Sequence, residues 1–129
     1  MIEIAVQNIW LGYSHKEVLQ DVTFQVLPGE MVGLIGPNGC GKSTIIRALT
    51  RIISPYKGRI LLDGKDIASI PRHELARMLG VVPQMPLLPS AFTAFEVVLM
   101  GRNPHLSLFQ YESQRELDIA WRAMELIYH

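Results

Sequence analysis

Residues 36–43 read Gly36-Pro-Asn-Gly-Cys-Gly41-Lys42-Ser43. This stretch matches the pattern G-x-x-x-x-G-K-[ST] of a phosphate-binding loop. Anionic oxygens need several donors within a small radius. Glycines allow the backbone to wrap that closely, in conformations other residues avoid. The flanks suit the motif. Met31-Val-Gly-Leu-Ile35 is a continuous apolar run, predicting a central strand covered on both faces. After the loop, Ile45, Ile46, Leu49, Ile52 and Ile53 recur at helical spacing, and Pro55 stops that pattern. Strand, loop and helix in this order form the context in which the motif carries meaning. Asn38, Gly39, Cys40, Gly41, Lys42, Ser43 and Thr44 are therefore expected to cradle phosphate. The amides from Gly39 to Thr44 would point inward, with the start of the helix adding its positive end. Lys42 would reach the outer phosphates, and the Ser43 hydroxyl would enter a Mg²⁺ shell.

Outward from the loop, the pattern stays mixed α and β. Ile2 to Val6 and Val22 to Val26 alternate as half-buried strands. Asp63-Gly64 between Arg59–Leu62 and Lys65–Ile67 is a hairpin signal. Leu79-Gly-Val-Val82 predicts another short strand. Thr93 with Glu96, and Ser113 with Glu116, each form the capping-box pattern of a helix start. The second helix would present Leu117, Ala120, Trp121, Met124 and Ile127 on one face.

Composition bounds the function. The 129 residues are 49% hydrophobic and 19% charged, a globular balance. Twelve basic residues against twelve acidic ones give no net charge, which speaks against nucleic acid as the main ligand. Cys40 is the sole cysteine, so an internal disulfide and a cysteine-type zinc site are excluded, and a reducing compartment fits. The N-terminus lacks the basic start and apolar run of a signal peptide. The apolar stretch Val81–Gly101 is long enough to span a bilayer, but Pro83, Pro86, Pro89 and Glu96 argue for a buried or docking surface instead. His105 has no partners at ligand spacing and reads as a turn or interface residue.

The loop Gly36–Thr44, Pro28-Gly-Glu30, Gly58-Arg-Ile-Leu-Leu-Asp-Gly64 and Val81-Val-Pro-Gln84 together resemble the N-terminal half of an ABC transporter ATP-binding subunit. Val98-Leu-Met-Gly-Arg-Asn-Pro-His105, with Glu112, Ser113 and Asp118, is similar to the branch that imports iron-siderophores, haem or cobalamin. The resemblance implies an α/β fold of the P-loop NTPase type. A β-rich N-terminal part and the core strand–loop–helix unit would precede the start of a helical subdomain over about 93–129. Residues 1–129 would form the N-terminal part of one domain, and the domain would be incomplete. The ligands implied are ATP and Mg²⁺. Tyr13 would stack on adenine. Lys42 and Gln84 would serve catalysis, with Ser43 and Gln84 contacting Mg²⁺ and Gln84 sensing the outermost phosphate.

The implied partners are transmembrane permease subunits, reached through residues 85–105, and a second ATP-binding subunit in a homodimer. The implied place is the cytoplasmic face of the membrane. Other readings remain open at this point: a different phosphate-loop enzyme, or a half domain that acts only as an interaction protein. A guanine-binding Asn-Lys-x-Asp run does not occur. Neither does a Leu-Ser-Gly-Gly-Gln-like signature, a paired-carboxylate strand end or a following switch histidine. Asp63 precedes Gly64 in the hairpin and reads as a turn residue. Little or no ATP turnover is therefore expected of this chain alone.

Overall fold

The computed structural model describes residues 1–88, 90–107 and 110–128. The chain divides into two compact units, Met1–Met78 and Leu79–His129.

The first unit is built on a four-stranded antiparallel sheet of order β2-β1-β3-β4. The strands are β1 (Ile4–Tyr13), β2 (Lys16–Val26), β3 (Lys57–Leu62) and β4 (Lys65–Asp66). The first two are longer than their alternation predicts, because the pattern shifts phase inside them. Val6 and Ile9 are both fully buried although three residues apart. Strict alternation would place them on opposite faces. Asn8 absorbs the difference with φ of 49°, where the register between β1 and β2 slips. Its backbone N–H donates to Thr23 Oγ1 at 2.9 Å, and its side-chain amide donates to Asp21 at 2.8 Å.

Helix α1 (Lys42–Leu49) buries Thr44, Ile45 and Ala48. It ends earlier than the apolar spacing predicts. The N–H groups of Ile52 and Ile53 fold back to the Arg47 carbonyl, at 2.9 and 3.2 Å, and Arg51 takes φ of 59°. Ile52 is consequently 70% exposed. Asp63 and Gly64 form the expected tight turn, both with positive φ, and Asp63 Oδ1 accepts the Glu3 N–H at 2.8 Å. This places Asp63 as a turn residue. Helix α2 (Arg72–Met78) closes the unit and buries Leu75.

Two predicted strands do not form among the described residues. Met31–Ile35 pairs with none of the four strands, and Met31 and Ile35 are almost wholly exposed. Leu79–Val82 is likewise unpaired. A run that is apolar on both faces requires neighbouring strands and a cover on each side, and neither segment has a paired strand among the described residues.

The second unit contains α3 (Ala94–Met100) and α4 (Gln114–Tyr128). Thr93 and Glu96 complete the predicted capping box. The second predicted box does not form as such: Glu116 turns its carboxylate to Arg102, at 2.5 Å, and both side chains are largely buried. A guanidinium is a stronger partner than a backbone amide. Phe95 stacks on Trp121 with ring centroids 4.5 Å apart. The seven residues of α3 cover only the first turns of α4, so Ile127, predicted on the packed face, is 75% exposed.

Gly58 has φ of +77°, and a Cβ there would come within 2.2 Å of the Asn8 carbonyl oxygen. Gly64 has φ of +80° with open space around it. In urea unfolding, Gly58→Ala is expected to cost about 2–4 kcal/mol through strain and backbone overlap. Gly64→Ala is expected to cost only about 1 kcal/mol, the conformational part alone. Equal losses would contradict the close approach at Asn8.

Glu96 titrates below its ordinary value because its carboxylate accepts from the Thr93 backbone N–H and, secondarily, the Thr93 hydroxyl. The folded cap therefore favours the charged form. Its support is present above the ordinary glutamate value of 4.5 and is lost as pH falls through the lowered folded value. Circular dichroism should show helix content fading below that point, and Glu96→Gln should flatten this acid-dependent loss.

Candidate functional site

The site begins where α1 meets the sheet. Gly41 occupies the N-cap position with φ of 102°, and no side chain caps the helix. A Cβ at Gly41 would lie 2.8 Å from the Leu19 side chain, so only glycine lets the helix start this close to β2. The first backbone bond of the helix runs from the Ile45 N–H to the Gly41 carbonyl at 3.0 Å. The amides of Lys42, Ser43 and Thr44 precede that bond and are left for an outside acceptor. One amide of the predicted cradle is already used: the Cys40 N–H donates to the Pro37 carbonyl at 3.3 Å, closing a turn.

Lys42 folds back across the loop. Its ammonium donates to the Gly36 and Pro37 carbonyls, the latter at 2.8 Å, and lies 3.7 Å from Cys40 Sγ. Gly36 leaves room for Cys40, since a Cβ there would meet Cys40 Sγ at 2.7 Å and the thiol would have to turn away. The loop thus turns carbonyls toward its own lysine and leaves helix-start amides and one positive charge for an anion. Such a set binds phosphate oxygens. Ser43 is exposed beside Lys42 in the first turn. Its hydroxyl is a hard oxygen donor of the type Mg²⁺ takes alongside phosphate oxygens, so the residues present fit that ion.

Tyr13 ends β1 at a two-residue hairpin loop, Ser14-His15, paired across to Lys16. Gly12 permits the hairpin, because a Cβ would meet the Lys16 carbonyl oxygen at 2.5 Å. The Tyr13 hydroxyl accepts from Arg47 Nη1 at 2.9 Å. Arg47, and after it the side chain of Thr44, lower the Tyr13 pKa from 10.0 by hydrogen bonding. Tyr13 remains 39% exposed. The structure therefore brings Tyr13 and the phosphate loop together on one unit, through α1. Arg47 escapes a sequence reading because it stands beyond the loop motif, and only the docking of α1 on β1 carries it to Tyr13. Trp10, nearby in sequence, packs instead beneath Lys57 and edge-on to Tyr56.

Gln84 lies in the second unit, exposed, in a bend after the unpaired Leu79–Val82 segment. Met85, Leu87 and Leu88 follow it with 84%, 99% and 60% of their surface exposed. Phe95, within the same region, stacks on Trp121. Pro89 lies outside the described residues. Among the described residues no helix is long and apolar enough to cross a membrane.

Comparison with known proteins assigns this geometry. A family model described as ABC transporter matches residues 19–128. A hemin import ATP-binding protein of Pseudomonas entomophila (strain L48) is 44% identical over 102 residues, covering 79% of this chain and 40% of that protein. A ferric enterobactin transport ATP-binding protein of Escherichia coli (strain K12) is 35% identical over 119 residues, 92% of this chain and 44% of that protein. A solved nucleotide-free ATP-binding cassette from an ABC transporter superposes with a TM-score of 0.81 at 27% identity, over 99% of this chain and 55% of that one. The chain spans less than half the length of the curated relatives it matches. With the phosphate loop inside the matched region and the same α/β architecture, the chain belongs to the ABC transporter family.

Proposed function

We propose that this chain is the nucleotide-binding part of the ATP-binding subunit of an importer for an iron chelate, haem or cobalamin. The observation that carries the reading is the uncapped start of α1 with Lys42 folded over the Gly36 and Pro37 carbonyls. The iron-siderophore and haem relatives support the branch. Asn38 to Thr44 hold the phosphates of ATP, Lys42 supplies charge, and the Tyr13 ring stacks on adenine. Ser43 and Gln84 hold Mg²⁺, which when bound neutralises phosphate charge. Gln84 senses the outermost phosphate. A glutamine amide suits that post because it offers oxygen to a cation and a donor to phosphate while staying uncharged.

The exposed apolar run Met85, Leu87 and Leu88 receives a transmembrane permease subunit, and the chain acts at the cytoplasmic face of the membrane. Two ATP-binding subunits pair around nucleotide. The metal complex passes through the permease and does not touch this chain. Positioning and charge stabilisation are most of phosphoryl-transfer catalysis. This sequence carries neither a paired-carboxylate strand end nor a signature donor, so binding without appreciable turnover is the expected behaviour.

Titration calorimetry should detect Mg-ATP binding that weakens at least about tenfold in Lys42→Ala, the loss of a charge-assisted contact. Phosphate release should not rise above background. Binding indifferent to Lys42, or a strong preference for GTP over ATP, would overturn the assignment.

A further inference from the structure

Tyr13 and α1 are joined by more than proximity. Arg47 Nη1 donates to the Tyr13 hydroxyl at 2.9 Å, from the second turn of the helix whose first residues are Lys42 and Ser43. The guanidinium is itself carried on a fixed support. The Arg47 carbonyl accepts the N–H groups of both Ile52 and Ile53, which ties the end of α1 at this residue. Arg47 is exposed, as is the rim of Tyr13, so burial alone does not hold the ring in place. A hairpin tip reached by a two-residue loop needs such a tether to keep one orientation.

We propose that Arg47 is a positioning residue: it anchors the Tyr13 hydroxyl to α1 and so fixes the distance between the aromatic platform and the phosphate loop. The inference rests on the nucleotide reading above and adds to it the element that registers the base against the phosphates. A rigid α-helix is a suitable ruler, rising 1.5 Å per residue. With the hydroxyl held at Arg47 and the phosphates held at residues 38–44, base and phosphate contacts belong to one rigid piece. A ligand then spends less of its binding energy on ordering the hairpin. A ligand that lacks a base gains nothing from the tether.

That last point supplies the test. Binding of Mg-ATP and of magnesium tripolyphosphate, which has no base, is measured on the full chain and on Arg47→Met, Tyr13→Phe and the double variant. Tyr13→Phe keeps the ring and removes only the anchored hydroxyl. Each single variant is expected to weaken ATP about three- to tenfold, the range of one hydrogen bond, and to leave tripolyphosphate unchanged. The double variant should lose no more than Tyr13→Phe alone, since that variant already removes the bond that Arg47→Met removes. Spectrophotometric titration of tyrosine should show the lowest-pH ionisation moving upward in Arg47→Met, with the high step of Tyr56, near 12, unmoved.

Equal losses for both ligands would make Arg47 a merely structural residue and overturn the proposal. So would unchanged ATP affinity in Tyr13→Phe, which decides the matter even where Arg47→Met does not fold. Wild-type ATP binding that is lost in Lys42→Ala, with no effect at Tyr13 or Arg47, would refute the tether and leave the nucleotide reading standing. A wild-type chain that binds neither ligand would overturn both.

Discussion

The approach of Gly41 to Leu19 is the contact on which the site depends. Only a residue without Cβ lets the start of α1 lie this close to β2, and only a residue tolerant of positive φ makes the turn into the helix. Once the helix starts there, Ile45 and Ala48 fall against the sheet and Lys42 and Ser43 face outward. The same placement brings Arg47 to Tyr13. Phosphate loop and aromatic hairpin are thus distant in sequence but set by one backbone approach. A larger residue at 41 would push the helix from the sheet and disturb every one of these contacts together.

The loop also carries an internal division of charge. Its Gly36 and Pro37 carbonyls point to the Lys42 ammonium, while the helix-start amides remain without an internal acceptor. A tight loop concentrates carbonyl dipoles as well as amide dipoles, and the carbonyl side would repel an anion. Lysine resolves this by holding the carbonyls on its own side. Such dipoles are arranged before any ligand arrives, so an anion meets donors already oriented. The glycines at 36, 39 and 41 serve different ends in this arrangement. Gly36 makes room for Cys40, Gly39 and Gly41 supply positive φ, and Gly41 also makes room for Leu19.

Much of this was legible in the sequence. The loop, the start of α1, the Asp63-Gly64 turn and the Thr93–Glu96 box are local patterns, satisfied by residues a few positions apart, and all form. What the sequence misjudged depends on partners. Met31–Ile35 has the composition of a central strand, but a strand is defined by its neighbours, and none of the described strands runs beside it. Ile127 has helical spacing, but α3 is too short to cover it. Glu116 has the spacing of a capping residue, but Arg102 outcompetes the amide it would have reached. Arg47 was illegible for the same reason, since its partner lies 34 residues away.

The distribution of exposed apolar surface follows from these misses. In the first unit, the exposed residues Met31, Val32, Leu34 and Ile35 lead directly into the loop. In the second, Val81 and Val82 lead directly into Gln84, and Met85, Leu87 and Leu88 follow. Both segments have the parallel-sheet pattern, and both end at a residue with a proposed role at the nucleotide. Residues at the carboxyl ends of parallel strands are where open α/β sheets place their ligands. The antiparallel part of the molecule behaves differently: its core of Val6, Ile9, Leu11, Ile60 and Leu62 is closed within the described chain. The hairpin platform and the helix start therefore rest on a finished core. The two segments that lead to the phosphate loop and to Gln84 instead carry exposed apolar residues, so each proposed nucleotide contact follows a stretch whose apolar faces the antiparallel core does not use.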